Sequence, residues 1–351
     1  MKREIFTLAM AFLGAGPLAA QVGATTTTIP GFDGEWVIDP RSARVGQHLG
    51  RPAVFIRANF PPILSTTEFA DGTIEFDMST IPGGNFLGFV FRYADGFNHE
   101  NVYFRLHKSN EFEAVQYAPR VNGSGGTWQL YPQFFGRAEL PVDGWVHVRA
   151  EVSGSTMQLF VGDSAKPLIV VPRLRGQIVN GRVGLWGRVN DKPDEWAVAI
   201  CNLRVRPRSP EKIVAGDTTT LPSGTITGWQ VAGPYSAADS TKLPPIPATA
   251  AWSPVPIEGA GLVNVTRVIR KPAAGRFVAY LRATITSPSA RVAPMEIGFS
   301  DHLVVWLNGV PVFHGLNSLG SQYPGSLGLA VAHNRTFLPL RAGRNELLVA
   351  I

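Results

Sequence analysis

The amino-acid sequence predicts an all-β protein made of two antiparallel β-sandwich domains. Three observations lead to this fold class. Hydrophobic and polar residues alternate over many short segments, turn-forming residues separate these segments, and no segment has a sustained helical period that begins with an N-cap. Gly occurs 37 times and Pro 28 times in 351 residues, which is typical of short strands joined by tight turns. The length itself favours two domains.

The N-terminus has the pattern of a secretory signal. Lys2 and Arg3 precede a short apolar segment that ends in small residues, so we expect residues 1–20 to be a signal peptide. The mature protein would then be exported to the periplasm, the cell surface or the extracellular space. Residues 21–32 are small and polar, which predicts a flexible lead-in. No later segment reaches membrane-spanning length without charges, Pro or Gly, so we predict no membrane span.

Residues 33–208 are predicted to form the first sandwich. Ile74, Phe76 and Met78 alternate with polar residues, as expected for a strand with one buried face. Further segments repeat this pattern with turn signals between them. The predicted strands are residues 72–79, 85–93, 101–107, 112–117, 145–154, 156–163, 181–188 and 196–205.

A composition break follows the first sandwich. Residues 209–222 are rich in Pro, Thr, Gly and charged residues, which predicts a linker. Residues 223–351 again alternate, and two hydrophobic segments flank Asn308-Gly309, the strongest short signal for a β-hairpin. The sequence stops at Ile351 within an apolar strand pattern, so we expect it to be a fragment of a longer protein.

Charge and cysteine content exclude several function classes. The formal net charge is +6, the predicted signal peptide contributes +1 of it, and the basic residues are scattered, so we predict no nucleic-acid partner. Cys201 is the only cysteine, which excludes an intrachain disulfide and a zinc site built from several cysteines. Its apolar strand context predicts a buried, inert thiol.

Residues 33–208 resemble the concanavalin A-like lectin/glucanase superfamily, with its laminin-G-type jelly roll. The segments "GTIEFDM", "FLGFVFR", "ENVYFRLH", "DGWVHVRAEVSGSTMQLFVGD" and "GRVGLWG…ICNLRV" carry this resemblance. It implies two antiparallel sheets packed face to face, of which the concave one often binds sugars. Residues 223–351 resemble a galactose-binding-like β-sandwich through "GWQVAGPY", "SDHLVVWLNGVPVF" and "LRAGRNELLVAI". These superfamilies host many functions, so the resemblance alone does not decide the function.

The known catalytic patterns are incomplete in this sequence. Retaining glucanases of the resembled superfamily carry E-x-D-x-x-E on one strand, whereas this chain has Glu75 and Asp77 followed by Thr80. A threonine hydroxyl cannot replace the carboxyl group that such a mechanism requires. The sequence contains no hydrolase elbow and no zinc-binding histidine spacing. We therefore predict no catalytic residue, no metal ligand and no cofactor. A structural Ca²⁺ in the loops 92–98 or 189–195 stays open, although such loops are more often plain turns.

The segment 101–107 offers a candidate binding surface. If Val102, Phe104 and Leu106 face the core, the alternate side chains of the strand must face outward. These side chains are amphipathic and form hydrogen bonds, as sugar recognition requires. Three alternatives remain: Arg105 and His107 pair with carboxylates such as Glu75 or Glu113, they lie under a covering loop, or this face contacts the second domain. The predicted carbohydrate-binding residues are Arg92, Asn101, Tyr103, Arg105, His107, Gln116 and Trp128.

Together these observations predict an exported, non-catalytic protein that binds a polysaccharide or glycan on the concave sheet of its first domain. One alternative is a glycoside hydrolase or polysaccharide lyase with an unrecognised catalytic set. Another is a cell-surface adhesion protein that binds protein. The sequence predicts neither the sugar nor the oligomeric state.

Overall fold

The computed structural model describes residues 24–57, 63–123, 127–190, 192, 194–209, 221–237, 243–270, 272 and 274–351. The predicted signal peptide (1–20) and most of the predicted linker (209–222) lie outside these residues. The described residues form β-strands and short 3₁₀-helices without an α-helix, and every strand pairing is antiparallel, which confirms the all-β fold class. None of the helices that the structure describes is long and apolar enough to cross a lipid bilayer.

The first part of the chain builds two large sheets. One has eight strands and the other has seven. Three 3₁₀-helices, Leu106–Lys108, Thr127–Leu130 and Pro132–Phe134, lie between strands of this part. The strands are β1 (Thr25–Thr28), β2 (Glu35–Ile38), β3 (Ala43–His48), β4 (Arg51–Arg57), β5 (Ile63–Phe69), β6 (Asp71–Thr80), β7 (Phe86–Asp95), β8 (Asn98–Arg105), β9 (Val115–Tyr117), β10 (Phe135–Gly136), β11 (Val146–Ser153), β12 (Thr156–Val161), β13 (Ile169–Val171), β14 (Gly181–Arg188) and β15 (Trp196–Arg208).

The eight-stranded sheet has the order β1-β2-β5-β14-β7-β8-β9-β10, and the seven-stranded sheet has the order β13-β12-β11-β6-β15-β4-β3. Their inner faces share one hydrophobic core. At its centre Phe76 of β6 meets Phe89 of β7 and Phe104 of β8 edge to face, with ring centroids 5.7 and 6.4 Å apart. Ile74 and Met78 are fully buried beside Phe76, as the alternation predicts. Burying each of these side chains contributes about 1.5–3 kcal/mol.

For residues 24–32, the structure corrects the prediction of a flexible lead-in. Thr25–Thr28 forms β1, which pairs with β2 at the edge of the eight-stranded sheet. Ile29 and Phe32 follow, and both are buried in the core, where the ring of Phe32 meets the ring of Trp36 at 5.6 Å. Burial of these two apolar side chains anchors the segment, although its polar threonines predicted flexibility.

Residues 221–351 form a second set of sheets. A six-stranded sheet has the order β17-β16-β20-β25-β22-β23, and the pair β21-β24 packs on it over a second core. Asn308 and Gly309 connect β22 to β23 with φ of 51° and 79°, so the predicted hairpin is confirmed. The 3₁₀-helices are Gly259–Gly261 and Val265–Arg267, and the strands are β16 (Gln230–Ser236), β17 (Ser253–Pro254), β18 (Ile257–Glu258), β19 (Leu262–Val263), β20 (Phe277–Ser287), β21 (Arg291–Ile297), β22 (Asp301–Leu307), β23 (Val310–Asn317), β24 (Asn334–Leu340) and β25 (Gly343–Ala350).

Polar contacts join these two parts of the chain. Gln129 donates its side-chain amide to the carbonyl oxygens of Leu327 and Gly328 at 3.0 and 3.1 Å, and its own carbonyl accepts the N–H of Ala330. The Tyr131 hydroxyl donates to buried Glu258 at 2.9 Å. The division into domains at residues 33–208 and 223–351 stays a prediction.

Candidate functional site

The predicted surface on β8 has the expected alternation but is not open. Val102 and Phe104 face the core, as predicted, and Asn101 and Tyr103 lie on the opposite face of the strand. Asn101 and Tyr103 are nevertheless only 6% and 9% exposed, and Gln116 on the neighbouring strand is fully buried. These three side chains therefore do not present the accessible surface that alternation alone predicts.

The indole of Trp186 covers this face. It crosses Gly88 of β7, where a Cβ atom would lie 2.0 Å from the indole ring. Trp186 Nε1 donates to Asn101 Oδ1 at 2.9 Å, and the Tyr103 hydroxyl donates to the side-chain oxygen of Gln116. Burial raises the pKa of Tyr103. The hydrogen-bonding groups that looked available for a ligand thus bind one another.

Arg92 does not share a surface with Tyr103, and this part of the prediction is wrong. The register of β7 shifts between Phe91 and Asp95, and Arg92 itself has φ of 48°. This backbone conformation turns the side chain to Asp71 at 2.9 Å, with further bonds to the carbonyl oxygens of Ala70 and Gly154. Arg92 and Asp71 are therefore a buried structural ion pair.

The last predicted residues lie beyond or beside the sheet. Arg105 pairs with Glu113 at 2.7 Å, which is the alternative that the sequence left open. Strand β8 ends at Arg105, so His107 lies in a 3₁₀-helix, with its Nδ1 3.0 Å from the carbonyl oxygen of Asn85. His107 is exposed and its neighbour Leu106 is buried, as the alternation predicts, but His107 does not lie on the strand beside Tyr103. Trp128 lies half-buried in the 3₁₀-helix Thr127–Leu130, and its contact with a ligand stays a prediction.

A different surface of the first part combines polar and aromatic side chains. It is the outer face of the seven-stranded sheet, on strands β3, β4, β6, β11 and β15, and we call it the polar sheet face. Its side chains alternate with the core-facing residues of the same strands, and most of them reach solvent, whereas Phe55 and Ser79 are buried. It comprises Arg44, His48, Arg51, Phe55, Arg57, Glu75, Asp77, Ser79, Trp145, His147, Arg149, Trp196, Arg204 and Arg206.

Asp77 is the centre of a hydrogen-bonded cluster on this face. It accepts from Arg51 at 3.0 Å and Asn202 at 2.7 Å, and its Oδ1 lies 2.8 Å from His147 Nδ1. Strand β15 shifts register between Cys201 and Arg204, and Asn202 has φ of 53°, a conformation that asparagine tolerates better than most residues. The cluster therefore holds donors from three neighbouring strands around one carboxylate.

Aromatic rings line the polar sheet face beside this cluster. The ring of His48 meets Trp145 at 5.4 Å and Phe55 at 5.8 Å, and Phe55 meets Trp196 at 6.5 Å. His48 Nε2 lies 2.9 Å from the Ser79 hydroxyl. Burial lowers the pKa of His48, so its imidazole is neutral at neutral pH and keeps one donor and one acceptor.

The third position of the glucanase-like pattern has no catalytic group. The Thr80 hydroxyl is buried and donates to the carbonyl oxygen of Leu140 at 3.2 Å. Cys201 is buried as predicted, and burial raises the pKa of its thiol. Position 80 therefore adds no carboxylate to Glu75 and Asp77, and Cys201 adds no activated thiol.

The loops considered for calcium are only partly described. The carboxylate of Asp95 accepts the N–H groups of Phe97 and Asn98 at 2.7 and 2.8 Å, which is an ordinary turn. In the loop 189–195, residues 191 and 193 lie outside the described residues. Within the described ranges, no three His, Cys, Asp or Glu side chains are grouped as metal ligands.

Neither a protein-family model nor a curated protein sequence matches the chain. Among solved structures it is similar to a carbohydrate-binding module from Bacillus subtilis, with 16% identity, a TM-score of 0.33, and 52% of this chain and 91% of that chain covered. It is also similar to a β-glucanase from Bacillus licheniformis, with 13% identity, a TM-score of 0.33, and 52% and 96% covered. A protein with a galectin-like fold from Bacillus subtilis gives 10% identity, a TM-score of 0.32, and 46% and 84% covered. These likenesses are too remote to carry an inference about this chain.

The sequence contained a signal for the polar sheet face. His147 and Arg149 alternate with core valines in β11, and Trp145 directly precedes this strand in the same phase. Glu75 and Asp77 alternate with Ile74, Phe76 and Met78 in β6. Alternation shows which side chains leave the core, but it does not show which sheet stays uncovered. That choice depends on contacts between distant residues, such as that of Trp186 with Asn101.

Proposed function

We propose that the protein binds carbohydrate on the polar sheet face and does not transform it. The observation that carries this proposal is the pair of half-buried indoles, Trp145 and Trp196, beside the Asp77 cluster. Aromatic side chains contact the C–H-rich faces of sugars, and fixed donors and acceptors bind sugar hydroxyls. Sheet strands hold these groups at fixed spacing, which lowers the entropy cost of binding.

This proposal keeps the predicted class of ligand and moves the site. The predicted residues around Tyr103 are buried against one another, whereas Arg51 and His147 of the polar sheet face are exposed. Export of the mature protein remains part of the proposal, because a polysaccharide or glycan ligand fits the signal-like sequence of residues 1–20.

A hydrolytic function is the second candidate, and the pair of Glu75 and Asp77 on one face of β6 is the observation that favours it. Glycoside hydrolysis by the usual route needs one carboxyl group as acid and another as base or nucleophile. Asp77 already accepts bonds from Arg51 and Asn202 and contacts His147, so its oxygens are occupied by protein groups. We therefore favour binding without turnover.

The experiment compares ligand binding and turnover in the full chain. A glycan array identifies the ligand, and calorimetry then measures its affinity for the wild type and for Trp196→Ala. We expect this variant to bind at least about tenfold more weakly, as for loss of a central aromatic contact. Phe337→Ala, a change at an exposed ring of β24, is the matched control and should bind as the wild type does.

Two results would contradict the proposal. Unchanged affinity of Trp196→Ala would remove the polar sheet face from the site. Release of reducing sugar that disappears in Glu75→Gln would establish the hydrolytic candidate instead.

A further inference from the structure

We infer that the ligand of the polar sheet face is an acidic polysaccharide, recognised through its carboxylate or sulfate groups. This inference depends on the proposed carbohydrate-binding function and narrows it to a chemical class. The observations that carry it are the charge of the face, the way its guanidinium groups are held, and their spacing across the strands.

The charge of the polar sheet face is strongly one-sided. Its strands present seven outward arginines and no outward lysine, against three carboxylates among the described residues, and Asp194 beside the face pairs with Arg57. Arg44 and Arg204 have no carboxylate within ion-pair distance in the described part of the chain. The arginines are Arg44, Arg51, Arg57, Arg149, Arg204, Arg206 and Arg208, and the carboxylates are Glu75, Asp77 and Glu151.

Aromatic rings hold several of these guanidinium groups in place. Arg44 lies 4.0 Å from the centre of the Phe55 ring, and Arg57 lies 4.6 Å from the centre of the Trp196 ring. Such cation–π contacts keep a long side chain ordered before a ligand arrives. A planar guanidinium presents paired donors that match a carboxylate or a sulfate, whereas an ammonium does not.

The same contacts argue against a neutral sugar as the preferred ligand. A guanidinium over Phe55 occupies ring surface that would otherwise be available for stacking with a sugar. An anionic group that binds Arg44 leaves this contact intact, because it approaches the guanidinium from its free edge. A negatively charged ligand could therefore bind without displacing Arg44 from the Phe55 ring.

The spacing of the arginines fits a polymer that repeats its charge. Arg149 and Arg204 are both register partners of Glu75, one on each neighbouring strand. Neighbouring strands are about 4.8 Å apart, so these two backbone positions are separated by about 10 Å. A polysaccharide that crosses the strands could place successive acidic groups near successive arginines.

The test uses two matched pairs of polymers with the full chain. Polygalacturonate is compared with its methyl-esterified, uncharged form, and dextran sulfate is compared with dextran. We expect at least one charged polymer to bind more than about tenfold tighter than its neutral partner, with an affinity that falls as salt rises. The pair that shows the difference identifies carboxylate or sulfate as the recognised group.

A variant connects this preference to the arginines. Arg44→Gln should weaken binding of the charged polymer at least about fivefold, because a charge-assisted contact is lost. Arg335→Gln, which removes an exposed arginine that pairs with Glu296 on the two-stranded sheet, is the matched control and should change binding little. Thermal melting of both variants checks that they remain folded.

The possible failures can be told apart. Equal affinity for charged and neutral polymers, with binding still lost in Trp196→Ala, would overturn this inference and leave the proposed function standing. Absence of binding to all four polymers and to a glycan array would overturn both. Single-stranded DNA that binds as tightly as the charged polymer would overturn the inference, because the face would then respond to charge without recognising a saccharide.

Discussion

His147 Nδ1 lies 2.8 Å from Asp77 Oδ1, across the pairing of β11 with β6. Arg51 and Asn202 donate to the other oxygen of the same carboxylate, so strands β11, β4 and β15 meet at one side chain of β6. The Asp77 carboxylate thus links four strands in the middle of the polar sheet face through side-chain hydrogen bonds. It also makes Asp77 the position where a small change should affect most of the face.

Asp77→Ala should lower the free energy of unfolding by about 1–3 kcal/mol, because three hydrogen bonds to a largely buried carboxylate are lost. Urea denaturation measures this loss. Asp194→Ala is the matched control: Asp194 is exposed and lies 3.7 Å from Arg57, so its loss should cost less than about 1 kcal/mol. Equal losses in the two variants would mean that the Asp77 cluster does not stabilise the sheet.

The buried pair of Arg92 and Asp71 gives a second prediction. Arg92→Met should lower the free energy of unfolding by about 3–5 kcal/mol, because Asp71 would keep its charge without the guanidinium. Adding Asp71→Asn should recover part of this loss, since the buried carboxylate is then neutral. Equilibrium denaturation of both variants provides the measurement. A loss below about 1 kcal/mol in Arg92→Met, as for a surface pair, would contradict the structural role assigned to Arg92.

His99 predicts a specific dependence of stability on pH. Burial, with a contribution from Arg120, lowers the pKa of His99 to about 4, whereas an unfolded histidine titrates near 6.5. Between these values the unfolded chain binds a proton that the folded chain does not, so stability falls as pH decreases from 6.5 to 4. The full difference corresponds to about 3 kcal/mol.

The measurement for His99 is a difference between two proteins. Burial raises the pKa of the neighbouring Glu100, and a carboxyl group shifted in that direction changes stability with the opposite sign. The wild type is therefore compared with His99→Gln by urea denaturation at several pH values. The variant should lose less stability than the wild type between pH 6.5 and 4. Parallel curves would show that His99 is not held neutral in the folded protein.

The fold was largely predictable because its signals are local. Ile74, Phe76 and Met78 face the core as their spacing predicts, and Asn308-Gly309 forms the hairpin turn that this pair favours. The lead-in was not predictable from composition, since Ile29 and Phe32 anchor a segment of threonines through contacts with distant parts of the chain.

The site was less predictable because it depends on two features that strand alternation does not reveal. The shift of register at Arg92 reverses the direction of one side chain, and strand alternation does not reveal such a shift. The indole of Trp186 reaches across Gly88 to Asn101, which covers one sheet. The contact of Trp186 with Asn101 joins residues far apart in the sequence, and the register shift leaves the alternation of residue types unchanged, so no pattern along a single strand indicates either feature.

The hydrogen bonds of Gln129 to residues 327–330 involve main-chain atoms on the C-terminal side. Substitutions at Leu327 and Ala330 therefore retain the main-chain atoms that form these hydrogen bonds. Gly328 differs, because it has φ of 66° and a Cβ atom there would lie 2.5 Å from the carbonyl oxygen of Asn317 and 2.7 Å from the Gln129 amide. Among the residues that bond to Gln129, only Gly328 therefore requires the absence of a side chain, whereas the bond of Tyr131 to Glu258 depends on the glutamate side chain itself.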